Sequence, residues 1–541
     1  MASSSLSLTI VDSGAYSKFK ARTMHLRISC NPGNLAITLS KQSWAVLPVK
    51  TSRGISSKPT WERMKKNQGN REGDTILVKS YKFKENLKLL FEEERKEKRK
   101  MMLLELVAAD RPSISDGLKR SDRWKKQTVR ILAMAASCHP DDESGLLGFK
   151  SGIISDPSGF LSSWVPATNC CQWSGVQCGT KNRVTSFGFY GQEEFNKTFK
   201  GIISPSLAKL KYLDSIFLQY LKGLTGPFPN FLFQLPRIQN IFIVDNKLSG
   251  RIPETIGKLT QVLSLSFEGN LFTGPIPSSV GELTQLTELN FGGNLLTGRI
   301  PDSIRQLKKV TYLSLEKNRL SGNLPDFFDS FPELIRLKLS YNKFSGEIPS
   351  SISSLSPQLQ FLELGHNNLR GKIPDFLGTF QAIETLDLSW NRFSGVVPQS
   401  FLNLTTLDEL NLSHNSLEDP FPEMNVAHAQ TLDLSYNNFH LKDIPSFVTS
   451  SPNMFNLRLV KCGLKINLDD WKPQEYLFYN YIDLSENDIT GSPVGLLNRT
   501  DSMRGFYASG NKLKFDLGKL RFNVAELKEL DLSRNMVFGE D

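Results

Sequence analysis

The stretch from Ile383 to Pro398, IETLDLSWNRFSGVVP, decides the fold. It reads L-x-x-L-x-L-x-x-N-x-L-x-G-x-I-P with conservative exchanges. Ile383, Leu386 and Leu388 fill the first apolar positions, Asn391 the polar one, and Phe393, Gly395, Val397 and Pro398 the remainder. The phrase returns about every 24 residues from Ile238 to the C-terminus, a period that marks a solenoid of stacked units. Fifteen units can be counted, with leads from Val184 to Leu527; the first two are irregular, and Gly191 to Phe199 loosen the first.

Each slot has a physical reading. In L-x-x-L-x-L the last two apolar residues alternate with outward-pointing ones, the period of a short strand with one buried face. Strands stacked at ~4.8 Å give fifteen units a parallel sheet roughly 70 Å long. The polar rung holds Asn246, Asn270, Asn294, Asn318, Asn342, Asn367, Asn391, Asn415, Asn437, Asn487, Asn511 and Asn535, with Cys462 in the gap between Asn437 and Asn487. An amide donates and accepts, so an Asn column can satisfy turn backbone that would otherwise be orphaned. The Gly permits a tight turn, and the Pro sits where no amide donor is wanted.

Composition excludes several classes. No apolar run in the 541 residues is long enough to cross a bilayer as a helix. The net charge of +10 suggests nucleic acid until it is located: residues 1–130 carry 28 Lys+Arg against 13 Asp+Glu, so the remainder is mildly acidic. The opening MASSSLSLTI resembles a chloroplast transit peptide. The charged stretch from Lys84 to Val107 reads as a solvated helix or disorder, with no aromatic interleaving to suggest nucleic-acid binding. Ile131 to Ser137, ILAMAAS, has the parts of a secretory signal but is short and internal. Residues 1–130 are therefore expected to be a basic, disordered or partly helical extension, either a mis-joined segment or a plastid address.

Residues 131–180 read as an N-terminal cap, and 181–541 as the array. Asp141 to Ile154, with Leu146, Leu147, Phe149 and Ile153, predicts a short amphipathic helix. Cys138, Cys170, Cys171 and Cys178 follow the needs of a small cap, where disulfides compensate for a thin core. Spacing alone leaves three pairings open. Adjacent Cys170 and Cys171 do not match a zinc ligand pair, and His139 reads as a surface residue. No metal or cofactor is expected.

From residue 138 to 541 these features resemble plant extracellular leucine-rich-repeat proteins. Within that group the sequence is similar to polygalacturonase-inhibiting proteins, DNA-damage-repair/toleration-type proteins and receptor-like protein ectodomains. The resemblance implies an α/β repeat solenoid: a right-handed curved superhelix with a concave parallel sheet, and a second short sheet with 3₁₀ turns on its convex side. It also implies the pairs Cys138–Cys170 and Cys171–Cys178. Such proteins carry a C-terminal cap; here Asp541 falls inside the fifteenth unit, so the array is expected to lack that cap.

The outward strand positions are the expected binding surface. The slot before the Asn holds Tyr341, His366, Trp390, His414 and Tyr436, and the slot between the strand leucines holds Lys338, Glu363, Asp387, Asn411 and Asp433. An aromatic ridge beside an acidic one suits a basic protein, a peptide or a glycan, although the same wording is common consensus in such repeats. Sequons at Asn196, Asn403, Asn411 and Asn498 fit a secreted glycoprotein, and a glycan on Asn411 would compete with the ridge. His366 and His414 stand two units apart, roughly 10 Å, too far to act on one atom, and no phosphate loop or kinase motif is present. The expected function is non-enzymatic recognition in plant defence or signalling, at the cell wall or outer membrane face, with a wall-degrading enzyme or a co-receptor among the partners. The alternative is an intracellular or plastid scaffold.

Overall fold

The computed structural model describes the strand residues 3–10, 22–31, 34–39 and 43–48, and residues 138–539 except 192–198, 427–428, 452–453, 472–478, 499–502 and 522–525. Two compact units divide the chain, Met1–Ser115 and Asp116–Asp541. In the first, Ser3–Ile10, Arg22–Asn31, Asn34–Leu39 and Ser43–Pro48 pair in sequence order as an antiparallel meander. This differs from the expected disorder or helix. The alternation of Leu6, Leu8 and Ile10 with Ser and Thr is a strand period. The stretches from Lys84 to Val107 and from Ile131 to Ser137 lie outside the described residues.

The second unit is the repeat solenoid. Its main sheet has sixteen described strands, from Val176–Cys178 to Glu529–Asp531, stacked in chain order. Every pair is parallel except the first, where Val176–Cys178 runs antiparallel to Val184–Tyr190. The register repeats the sequence period: Thr385 faces Glu409, Leu386 faces Leu410, and Asp387 faces Asn411. A second sheet of eleven described strands runs from Ile153–Ser155 to Ser416–Glu418, alternating along the chain with the first. Between them lie 3₁₀ turns such as Asp375–Thr379, entered through Pro374, whose missing N–H costs nothing at that position. Gly371 before it turns at φ +90°, which a side chain would resist.

The core is one apolar column: Leu386, Leu388, Phe393 and Val397 of the opening stretch are all buried, as are their counterparts in neighbouring units. The Asn rung holds it to the turns. Asn294 Nδ2 donates to the carbonyls of Phe267, Phe291 and Gly292 at 2.9, 3.1 and 3.0 Å, while its Oδ1 accepts from Phe272 N–H at 3.0 Å. Where Cys462 replaces the Asn, its thiol donates to the Leu434 carbonyl at 3.3 Å and so imitates the donor half of the amide.

The cap closes the first layer. Its helix is Pro140–Ser151, shorter than expected because Ile153–Ser155 leaves it to pair with Lys200–Ile202. His139 is not incidental: it is the N-cap, and its Nδ1 accepts from Asp141 N–H at 3.2 Å. Phe149, Trp164 and Phe187 pack as a buried aromatic cluster, and Trp164 stacks on Trp173 at 5.4 Å. Buried Asp142 takes two hydrogen bonds from the Arg183 guanidinium, both 2.8 Å, and one from Val184 N–H, tying helix to first strand. Disulfides join Cys138 to Cys170 and Cys171 to Cys178. No described helix is long and apolar enough to cross a membrane.

Candidate functional site on the concave sheet

The aromatic slot is built by backbone geometry. After each strand the chain must bend, and the residue before the Asn enters the left-handed region: φ is 58° at Tyr341, 52° at His366, 50° at Trp390, 54° at His414 and 56° at Tyr436. Gly269, Gly293 and Gly510 hold the same slot in other units, at φ 66°, 63° and 67°. Each ridge N–H donates into the next unit, as Trp390 does to Ser413 O at 2.8 Å, so the rings are held one strand spacing apart. That spacing is the stacking distance of aromatic rings.

The result is one continuous stack. Tyr341 and His366 have centroids 4.0 Å apart, His366 and Trp390 5.1 Å, Trp390 and His414 3.6 Å, and His414 and Tyr436 4.3 Å, all within 19° of parallel. The Lys317 ammonium lies 6.0 Å from the Tyr341 centroid at one end. Tyr341 and Trp390 each remain 48% exposed, so the outer edges of the stack face solvent. Partial burial pushes both imidazoles below their ordinary pKa; Asp387 opposes this at His366, while His366 adds to it at His414.

The neighbouring column is more occupied than its sequence suggested. Lys338 and Glu363 pair with each other at 2.8 Å. Asp387 Oδ1 accepts from Ser389 N–H at 2.9 Å, Asn411 Oδ1 from Ser413 N–H at 3.1 Å, and Asp433 Oδ1 from Ser435 N–H at 2.9 Å. These bonds shape the bend that presents the rings, so Asp387, Asn411 and Asp433 have a structural role whatever they touch. Burial is the largest influence on the Glu363, Asp387 and Asp433 carboxyls and lifts all three above the usual range.

A third column escaped the sequence reading: Arg336, Phe361, Thr385 and Glu409, at the first strand position. The Arg336 guanidinium lies over the Phe361 ring at 4.4 Å, and Glu409 is a further carboxyl raised by burial. The signal was available, because the residue before the first strand leucine points outward by the same alternation. Among the sequons, Asn403 is exposed at the end of the 3₁₀ turn Gln399–Asn403, opposite the ridge. Asn498 is exposed, with its Oδ1 accepting from Arg521 N–H at 2.8 Å. Asn411 is half-buried on the ridge face, and Asn196 lies outside the described residues.

Comparison with known proteins agrees with this architecture. Residues 139–179 match the leucine rich repeat N-terminal domain, and residues 285–307, 308–369 and 357–417 match leucine rich repeat models. With the stacked sheets described above, the fold is a leucine-rich-repeat solenoid. It is 31% identical over 130 residues to the DNA damage-repair/toleration protein DRT100 of Arabidopsis thaliana, covering 22% of this chain and 35% of that one. It is 37% identical over 92 residues to polygalacturonase inhibitor 2 of the same plant, covering 16% and 26%. These matches thus span about a third or less of those relatives. Among solved structures, the Arabidopsis receptor kinase HAESA, in complex with the peptide hormone IDA and the co-receptor SERK1, aligns with TM-score 0.58 at 26% identity, over 74% of both chains. A TDR receptor aligns with TM-score 0.56 at 28% identity, over 66% of this chain and 64% of that one.

Proposed function

We propose that this is a non-enzymatic extracellular recognition protein, acting in plant defence or signalling, whose ridge from Tyr341 to Tyr436 binds a basic peptide or a basic protein segment. The five-ring stack carries the reading. In a stack this tight each inner ring has both faces covered by its neighbours, leaving edges and polar tips outward. A sugar that packs against ring faces finds none free on the three inner rings. Ring edges are partly positive and suit the carbonyl oxygens of an extended peptide. Cationic side chains of that peptide would lie over Asp387 and Glu409, since Glu363 pairs with Lys338 and Asp433 lies 3.9 Å from Arg458. The peptide complex of HAESA supports such a ligand class, and the cap disulfides support maturation in an oxidising compartment. A co-receptor or a wall-degrading enzyme is the partner class that the relatives suggest.

The test is selection of random peptides on the immobilised full chain. Enrichment in Lys and Arg is expected, with binding abolished by joint Tyr341→Ala, Trp390→Ala and Tyr436→Ala. Peptides that bind the triple variant equally well would refute the ridge as the site. Mixing the chain with polygalacturonase and finding lost activity would place the partner among wall-degrading enzymes.

A further inference from the structure

At the N-terminal end of the same sheet, well away from the ridge, lies a cavity of about 450 Å³. Its floor is Gly188, on the strand Val184–Tyr190, in register with Phe217 on the strand Ser215–Gln219. Gly188 is required by the close approach of these strands, since a Cβ there would sit 2.4 Å from the Phe217 carbonyl oxygen. The consequence is an outward position with no side chain beside an aromatic ring. Phe217 stacks on Phe242 at 5.5 Å and 13°, which covers one of its faces. The other flank of Phe217 is the Gly188 row, so its second face borders the cavity. This contrasts with the ridge, where every inner ring is covered on both sides.

The rims are polar and uncharged. Gln177 and Ser186 are paired across the strands on one side, and Tyr190 and Gln219 on the other. Among the described residues, no Asp, Glu, Lys, Arg or His lines the cavity. Two carboxamides and two hydroxyls each donate and accept, whereas a charged ligand would find no counter-ion among these described residues. One free ring face, convergent neutral hydrogen-bonding groups and a volume within the range of small-molecule sites suit a polyhydroxylated ring whose C–H face packs on Phe217. We propose that this cavity binds an uncharged sugar unit of a glycan. The chain then carries two separate recognition sites on one sheet, one for a peptide and one for a neutral carbohydrate, and the second does not depend on the first.

The experiment titrates the full chain with tetrasaccharides of β-1,4-linked glucose, β-1,3-linked glucose and β-1,4-linked mannose, with tetragalacturonate as the charged contrast, by calorimetry and saturation-transfer NMR. At least one neutral tetrasaccharide is expected to bind with a millimolar or tighter Kd. The double variant Gln177→Ala/Gln219→Ala should weaken it about tenfold, the size of one or two hydrogen bonds. Phe217→Leu, which keeps apolar bulk but removes the ring face, should do the same. Circular dichroism shows whether each variant remains folded, and the solvent-facing Gln177 and Gln219 keep the test open where Phe217→Leu does not fold. The proposal is overturned by no binding of any neutral tetrasaccharide, by an unchanged Kd in the folded variants, or by tighter binding of tetragalacturonate.

Discussion

Replacing Asn294 by Ala gives the sharpest test of how the array is held together. Asn294 is 5% exposed and makes four hydrogen bonds to backbone. The four are not equal. The carbonyls that accept from its Nδ2 keep other donors: Phe267 O retains Asn270 Nδ2, Phe291 O retains Asn318 Nδ2, and Gly292 O retains Gly269 N–H. Phe272 N–H is bonded to Asn294 Oδ1 alone among the described contacts, and Ala leaves it buried and unpaired. An orphaned buried donor costs about 1–3 kcal/mol, and three shared bonds add roughly 0.5 kcal/mol each, giving about 3 kcal/mol in all. Urea unfolding measures the loss, and hydrogen exchange should locate it at Phe272. The same substitution at half-buried Asn391, whose Oδ1 serves Leu369 N–H, should cost about half as much because water can enter the space that the Asn391 side chain leaves. A loss below about 1 kcal/mol at Asn294, or equal losses at the two sites, would refute the reasoning.

Three further outcomes are expected. Asp387→Asn keeps the acceptor for Ser389 N–H, as Asn411 does one unit on, but removes a buried carboxyl. A folded-state pKa raised by burial means that stability falls as pH rises from the unfolded value, about 4, through the folded one. The variant should therefore gain Tm over the parent increasingly between pH 4 and 7, and a pH-independent difference would contradict this. His366 and His414 are depressed by burial, so their contribution to stability is lost as pH falls below about 6.5. Trp390 emission should titrate in that window, and a difference signal that persists in His366→Gln/His414→Gln would exclude the stack as its source. Opening the Cys138–Cys170 disulfide frees a loop of 32 residues and should destabilise the cap by about 4 kcal/mol. Denaturation of the Cys138→Ala/Cys170→Ala variant, which keeps Cys171–Cys178, measures it, and an unchanged midpoint would show that the aromatic cluster suffices.

The repeat was legible because each position of the 24-residue phrase answers a separate demand, from buried strand residue to turn amide, and Leu386, Asn391 and Gly395 answer them together. The rings from Tyr341 to Tyr436 could be aligned from sequence, but their stacking could not. That depends on the strand spacing and on a left-handed φ that Tyr and Trp do not announce, although Gly269, Gly293 and Gly510 in the same slot of other units point to it. Asp387, Asn411 and Asp433 looked like free chemistry because a hydrogen bond to a backbone N–H two residues on leaves no trace in composition. The Phe217 cavity was hidden for the opposite reason: the first two units break the pattern, and the glycine that opens the site belongs to the irregularity.

The left-handed slot also separates two quantities that usually travel together in a protein, durability and specificity. At φ near +50° glycine is the least strained occupant, and a bulky residue costs of order 1 kcal/mol or more. Trp390→Gly should therefore erase a central letter of the ridge while relaxing the backbone beneath it. Part of the lost stacking would be offset, and the variant should unfold close to the parent, whereas Trp390→Ala keeps the strain and should fall below both in a melting experiment. The ridge is thus a row of interchangeable faces mounted on a frame that does not need them. Ligand choice can be rewritten there one unit at a time without putting the solenoid at risk.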